Sequence, residues 1–248
     1  MTSSNSRCAT FTNEADGYVY KVPLQFISKS RARYVPSEGA AGLILKTKSA
    51  AIRDGDNILA VIRSTDVKHD GRSQGLVAPN VKAQIAMQIA LLEKANLAPA
   101  EIEYVAFYFH NTKLIFYLLF SFIEAHGTGK HLILLIMTIT DICTGTSLGD
   151  LIEIEGINEV FQSSHGPENP LVIGAAKSCV GHAETVSGLI GVIKTVGSFA
   201  AGTVPGLVQL RADNMNPSID CSVVPLHIPF ETAELKRSED RPLRAMIL

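Results

Sequence analysis

The alternation of short apolar segments with longer helical patterns is the feature that most constrains the fold of this chain. Leu171–Ala175 is an apolar run of strand length, which predicts a buried strand. The apolar residues of Ala183–Ala201 predict a helix that ends at Gly202. Asn80–Asn96 predicts another helix, for which Asn80 is a suitable N-cap. Strands and helices therefore alternate, as is typical of a layered α/β fold.

The same patterns predict four further elements. Gly42–Lys46, Asn57–Thr65 and Glu101–Val105 have the composition of strands, and Leu148–Phe161 has helical periodicity. On the predicted helices, apolar residues that recur every three or four positions should face the core. These inward-facing residues are Ile85, Ile89 and Leu92 in the first helix, Leu151, Ile154, Ile157 and Phe161 in the second, and Val186, Leu189, Ile190, Ile193 and Val196 in the third.

Composition excludes several classes of function. With 248 residues, of which 46% are hydrophobic and 19% charged, the chain can bury a sizeable core. A formal net charge of −2 gives no reason to expect nucleic acid or an anionic membrane as a partner. Four cysteines without regular spacing predict neither a disulfide framework nor a metal site, and reduced thiols indicate a cytoplasmic protein. The polar segment Met1–Asn13 lacks a signal core.

Two strongly apolar segments raise the alternative of a small membrane-associated protein. Phe107–Ile123 includes His110, Asn111 and Lys113, and the shorter segment His131–Cys143 includes Asp141. A spanning helix needs about 20 largely apolar residues. Both segments fall short of that length and carry charge, so we expect the chain not to use a membrane.

Two histidine motifs point to the chemistry. Glu124–Gly129 places His126 beside glycines, and Lys177–Glu184 does the same for His182. Glycines allow backbone and substrate to approach closely. Two imidazoles that converge on one carbonyl oxygen would stabilise the negative charge that develops there. The pattern therefore indicates carbonyl or enolate chemistry.

These motifs belong to an ordered set that resembles the ketosynthase (β-ketoacyl synthase) domain of fungal iterative type I polyketide synthases. The resemblance implies a thiolase-like α/β/α/β/α fold, in which helices lie between two sheets. The chain would hold the end of the first half of such a domain and most of the second. The matching segments are Asp54–Asp56 with Ile58–Arg63, Asp70–Ser73, Ala78–Asn80, Glu124–Gly129, Thr146–Asp150 with Glu153, and Lys177–Glu184 with Ser187–Leu189.

The resemblance also implies a reaction, the decarboxylative Claisen condensation of an acyl thioester with malonyl on an acyl carrier protein. His126 and His182 would donate hydrogen bonds to the malonyl thioester oxygen, and Lys177 would complete the catalytic set. Asp150 and Glu153 would support that set, and Thr128 and Thr146 would bind the phosphopantetheine arm. No cofactor is expected on the chain itself. Family members are homodimers, but much of their interface belongs to the unmatched half, so a dimer of this chain is not expected.

Two departures from the family pattern qualify this expectation. The nucleophilic cysteine of the family occupies an Ala-Cys-Ser-Ser turn, which this sequence lacks. Cys179 stands where relatives often have asparagine, and we do not favour it as a nucleophile; Cys8, Cys143 and Cys221 also occur in other contexts. The sequence also ends before the family's glycine-rich closing segment. We therefore expect a fragment that is inactive without its nucleophile, or alternatively a non-catalytic remnant.

Three segments interrupt the family pattern. Tyr20–Val35, Ala106–Ile123 and Lys130–Gly145 are 16, 18 and 16 residues long, and the family motifs join smoothly when they are removed. For the third, removal of Thr128–Cys143 restores the same motif. The coding lengths are those of short fungal introns. Our hypothesis is that these three segments are translated introns.

Overall fold

The computed structural model describes residues 37–67, 80–107, 134–139, 147–183, 186–208, 210–213, 215–219, 226–236 and 241–248. In chain order the strands are β1 (Val61–Val67), β2 (Tyr104–Phe107), β3 (Leu134–Ile139), β4 (Leu171–Ala175), β5 (Thr203–Val204), β6 (Leu226–His227), β7 (Ala233–Glu234) and β8 (Arg244–Ile247). The helices are α1 (Lys48–Asp54), α2 (Val81–Ala95), α3 (Ser147–Phe161), α4 (Lys177–Val180) and α5 (Ser187–Ala201), with a 3₁₀ turn at Pro99–Glu101.

Six of these strands form one parallel sheet in the order β1-β3-β8-β2-β4-β6. Parallel neighbours need crossover connections, and these connections usually place helices on the sheet. Strands β5 and β7 form a separate antiparallel pair. The alternating order of elements and the parallel sheet confirm the predicted α/β class.

Helices cover both faces of the sheet. On one face, α2 and α3 pack over side chains such as Val105, Ile173 and Met246. On the other face, Val192 and Phe199 of α5 pack against Tyr104 and its neighbours. Successive residues of a strand point to opposite faces, and β2 accordingly sends its buried side chains into both cores. The described part of the chain is therefore a helix–sheet–helix sandwich.

Helix α2 confirms the predicted bounds and the predicted cap. The side-chain oxygen of Asn80 accepts from the backbone N–H groups of Lys82 and Ala83, at 3.1 and 3.4 Å. Asn96 ends the helix in the left-handed conformation with φ 54°. The predicted inward face is wrong at Ile89, which is 43% exposed. The buried face lies slightly around the helix and includes Gln84, Met87, Gln88, Leu91, Leu92 and Ala95.

The predictions for helices α3 and α5 had different outcomes. Helix α3 confirms the predicted range to within one residue, with Ile154, Ile157 and Phe161 buried as predicted. Helix α5 begins at Ser187, not at Ala183, and Gly202 caps it with φ 72°. Its predicted inward face is wrong at Ile193, which is 46% exposed. The other four predicted residues are partly buried, and Val196 packs against the core. Small residues allow the helix to approach the sheet closely, and the buried positions are Ser187, Gly191, Val192, Thr195, Ser198 and Phe199.

Three predicted strands need correction. Residues 42–46 form no strand, and Ile44 is fully exposed. This stretch has strand composition, but no strand pairs with it in the described part of the chain. The strand predicted at Asn57–Thr65 begins four residues later, at Val61. The strand predicted at Glu101–Val105 is displaced by the 3₁₀ turn and begins at Tyr104.

Parts of two predicted inserts lie in the sheet. Ala106 and Phe107 belong to β2, and the whole of β3 falls within 130–145. Strand β3 lies between β1 and β8. The insert hypothesis stays a prediction for all three segments, and 20–35 lies outside the described residues. None of the helices in the described ranges combines the length and apolar character needed to cross a membrane.

Candidate functional site

The carboxyl ends of β2 and β4 lie side by side. The two strands are parallel, and Phe107 is in register with Ala175. The chain leaves β2 towards His126 and leaves β4 towards His182. Ligands of open α/β sheets commonly bind beyond the carboxyl ends of the strands. His182 therefore follows β4 at the edge of the sheet where a site is expected, whereas Glu124–Gly129 follows β2 in the sequence and lies outside the described residues.

A tight loop connects β4 to His182. It begins with the one-turn helix α4, in which the N–H of Cys179 donates to the Ala176 carbonyl at 2.9 Å. The N–H of Gly181 then donates to the carbonyl of Lys177, also at 2.9 Å. Gly181 has φ 75°, a conformation that favours glycine. Backbone hydrogen bonds and one glycine thus fix the spacing between Lys177 and His182.

Three of the predicted site side chains are buried. Lys177, His182 and Glu153 are 5%, 2% and 2% exposed. Lysine and glutamate are almost never fully buried in proteins unless they are paired. The first two lie in the same loop, and Glu153 lies in the second turn of α3. Ionisable side chains are rarely buried to this extent, and those that are buried often lie at functional sites.

A segment that precedes α1 packs against the histidine loop. The N–H of Ser37 donates to the carbonyl of His182 at 2.9 Å. A β-carbon added at Gly39 would lie 3.7 Å from Val186 and 3.9 Å from Ala183, which is ordinary contact. Residues 37–39 therefore form one wall beside His182, although no motif in the sequence marks them as part of a site.

The remaining predicted site residues have no described side chains. His126, Thr128 and Thr146 lie outside the described residues, and for Asp150 the structure gives the backbone, in the first turn of α3. Their proposed roles stay predictions. Across the described ranges, no group of three or more histidine, cysteine, aspartate or glutamate side chains is arranged to hold a metal ion.

Two polar residues at this edge were missed by sequence reasoning. The carbonyl of Ala175, the last residue of β4, accepts from Ser178 Oγ at 2.9 Å and from Lys194 Nζ at 2.8 Å. Lys194 is the single charged residue of α5. Burial lowers the pKa of its ammonium, and the nearby Cys179 opposes that shift. A lone lysine within an apolar helix was the signal that could have identified it.

Comparison with known proteins gives this site a family. A model for the C-terminal domain of β-ketoacyl synthases matches residues 59–114 and 135–211, together more than half of the chain. The hispidin synthase of Neonothopanus nambi is 44% identical over 248 residues, which is all of this chain and 12% of that protein. Highly-reducing polyketide synthase 1 of Aureobasidium melanogenum is 34% identical over 214 residues, 86% of this chain and 8% of that protein. The chain thus spans a small share of these relatives.

Solved ketosynthase domains share the fold. An oxazolomycin ketosynthase domain from Streptomyces albus superimposes with a TM-score of 0.68 at 32% identity, covering 91% of this chain and 34% of that one. The ketosynthase from module 1 of the bacillaene synthase of Bacillus amyloliquefaciens gives 0.67 at 25% identity, covering 86% and 32%. These likenesses confirm the predicted thiolase-like fold class.

Proposed function

Because the chain belongs to the β-ketoacyl synthase family, we propose that it supplies the malonyl-handling side of a polyketide ketosynthase active site. The general reaction of the family is an acyl transfer that forms a carbon–carbon bond. In this proposal the loop after β4 and the segment after β2 together bind the thioester oxygen of a malonyl group. The malonyl group arrives on the phosphopantetheine arm of an acyl carrier protein, which is the partner we propose.

The chemistry divides into two steps. In the first, the bond between the α-carbon and the carboxylate carbon of malonyl breaks, carbon dioxide leaves, and the electron pair remains as an enolate. In the second, the α-carbon of the enolate attacks an acyl thioester and a cysteine thiolate leaves. Negative charge builds on the malonyl thioester oxygen in the first step. Hydrogen-bond donors that are already in place for that charge lower the barrier.

His182 and His126 are the proposed donors to this oxygen. A neutral imidazole can donate from Nε2 while Nδ1 carries no proton. Lys177 adds positive charge to the same loop, which favours a developing negative charge. Glu153 and Asp150 on α3 are proposed to orient this group of residues. Thr128 and Thr146 are proposed to bind the amides of the phosphopantetheine arm.

One observation carries the proposal: Lys177 and His182 are both buried in a single short loop at the carboxyl end of β4. A loop with a purely structural role would gain nothing from burying a lysine, because burial of an ammonium is costly. The relatives' names support the polyketide context. A cytoplasmic location and a homodimeric parent enzyme are parts of the same proposal.

The first half of the reaction offers a direct test, because decarboxylation does not require the nucleophilic cysteine. We would measure release of carbon dioxide from malonyl-pantetheine by the full chain and by His182→Ala. Removal of one such donor typically lowers the rate about 10²–10³-fold. The exposed His227 on β6 provides the matched control, and His227→Ala should leave the rate unchanged.

The outcomes are distinct. Release above the uncatalysed rate, sensitive to His182→Ala and insensitive to His227→Ala, supports the proposed function. A folded chain that releases no carbon dioxide, or a rate that does not respond to His182→Ala, would indicate the non-catalytic remnant. Thermal unfolding of each protein establishes that it is folded.

A further inference from the structure

The backbone carbonyl of Ala175 accepts hydrogen bonds from two side chains. Strand β4 pairs with β6 at Leu171 and Val172, and beyond Val172 it pairs with β2 through Ala175. At the end of the strand, two side chains donate to the Ala175 carbonyl. Ser178 Oγ lies 2.9 Å away and comes from the loop itself, whereas Lys194 Nζ lies 2.8 Å away and comes from α5.

Lys194 reaches this carbonyl from an unfavourable environment. It is half-buried on a helix whose other residues are uncharged. Desolvation of an ammonium is costly and must be offset by good hydrogen bonds or by opposite charge. A hydrophobic residue at this position would fill the space without that cost. The use of a lysine here therefore indicates that its charge or its hydrogen bond has a purpose.

The position of the contact suggests that purpose. Ala175 immediately precedes the loop that carries Lys177 and His182. A charge-assisted hydrogen bond is shorter and stronger than a neutral one. Lys194 thus fixes the point from which the histidine loop leaves the sheet.

We propose that Lys194 is a positioning residue, which holds the loop from Lys177 to His182 in its working geometry through the carbonyl of Ala175. This inference rests on the proposed function for its effect on rate. Its effect on the order of the loop is independent of any activity. Misplacement of a catalytic group by about 1 Å can cost about 10²-fold in rate.

The rate test compares three variants with malonyl-pantetheine. Lys194→Met removes the hydrogen bond and the charge, and should lower kcat about 10²-fold with little change in KM, because a loop that is out of place affects the transition state most. Lys194→Arg keeps a charged donor and should restore most of kcat. Lys82→Met makes the same chemical change on the exposed side of α2 and should have no effect.

Hydrogen exchange tests the order of the loop without substrate. In Lys194→Met, the amides of Val180 and Gly181, which donate to carbonyls within the loop, should exchange at least about tenfold faster, because local opening frees them. The backbone amide of Ile173, in the middle of β4, should exchange no faster than in the parent protein. Lys194→Arg and Lys82→Met should match the parent protein.

The two proposals can fail separately. If the parent chain has no decarboxylase activity but the loop amides respond as expected, the proposed function fails and the positioning role stands. Unchanged exchange in the loop of Lys194→Met overturns the positioning role. Uniform acceleration over β4 and α5 also overturns it, because that pattern means a general loss of stability. If Lys194→Met does not fold, failure of Lys194→Arg to restore both readouts overturns it.

Discussion

The phenol ring of Tyr104 on β2 lies directly over the backbone of Gly174 on the neighbouring strand β4. A β-carbon at position 174 would approach the Tyr104 hydroxyl oxygen to 2.5 Å and a ring carbon to 2.9 Å. The ring is fully buried, so it has little room to move. It also makes an edge-to-face contact with Phe199 of α5, with 6.5 Å between ring centroids. Glycine at 174 thus allows α5 and the sheet to share one aromatic cluster.

Gly174→Ala should therefore destabilise the protein. Overpacking of a well-packed core typically costs about 1–3 kcal/mol, and urea denaturation would measure the loss. Gly42→Ala is the control, because a β-carbon there meets nothing within 4 Å. Equal stabilities of the two variants would contradict the packing described for Tyr104.

The N-cap of α2 gives a second prediction. Asn80→Ala removes the oxygen that accepts from two backbone N–H groups, and should lower the free energy of unfolding by about 1 kcal/mol. Thr47, the N-cap of α1, makes no side-chain cap hydrogen bond. Thr47→Ala should therefore cost much less in the same chemical denaturation experiment, and a similar loss in both variants would count against the cap.

Glu103 should make stability depend on pH. Burial raises the pKa of its carboxyl above the ordinary value of 4.5, although the N–H of Arg244 and the guanidinium of Arg241 oppose the shift. The folded state then binds the proton more tightly than the unfolded state. Its contribution to stability is full below pH 4.5 and declines as pH rises through the folded pKa.

The measurement compares the parent protein with Glu103→Gln. The difference in unfolding free energy, parent minus variant, should fall as pH rises above about 4.5, since glutamine does not titrate. Glu155→Gln, an exposed position on α3, serves as the control. A difference that rises with pH would show that the Arg241 and Arg244 interactions outweigh burial.

His165 should give the opposite dependence. Its Nε2–H donates to the Ile102 carbonyl at 2.8 Å, while Nδ1 lies 2.9 Å from Ser164 Oγ. Burial lowers the pKa of the ring below 6.5, against the effect of its hydrogen bonds to backbone carbonyls. The unfolded state therefore takes up the proton first, and stability should fall as pH drops below 6.5. His165→Gln should remove this slope in urea denaturation, whereas His227→Gln should retain it.

The insert hypothesis predicts what the mature transcript contains. Sequencing of the message across 20–35, 106–123 and 130–145 should show these segments removed. Peptides that join Val19 directly to Pro36 would agree at the protein level, whereas peptides from within Tyr20–Val35 would contradict the hypothesis. Removal of 130–145 would also remove β3, so β1 would need another neighbour in the sheet.

Sequence patterns predicted the elements that have unambiguous local signals. Helix α2 carries an asparagine cap and helical periodicity, and the buried strand β4 is short and apolar on both faces. Helix α5 is apolar nearly all round, so periodicity could not select its buried face. The packing of α5 against the sheet shows that the small residues of this helix face inward. For the same reason the pattern gave no role to Lys194, whose partner lies 19 residues away.

Strand composition was a weaker guide, since a strand requires a partner as well as suitable residues. Gly42–Lys46 has the composition of a strand, but none of the described strands pairs with it. In the candidate site, the motif around His182 contains both Lys177 and the histidine, and both side chains are buried in one loop, while their catalytic roles stay predictions. It could not identify the wall formed by residues 37–39, because that contact joins segments far apart in the sequence.

The place of β8 in the sheet has a consequence for synthesis of the protein on the ribosome. Arg244–Ile247 lies between β3 and β2, so the sheet cannot close until residue 247 has left the exit tunnel. Until then β1 with β3, and β2 with β4 and β6, are separate groups with unpaired backbone edges. Exposed strand edges promote aggregation. The two groups of strands therefore stay apart on the nascent chain until β8 emerges, and dependence on chaperones should peak just before that point.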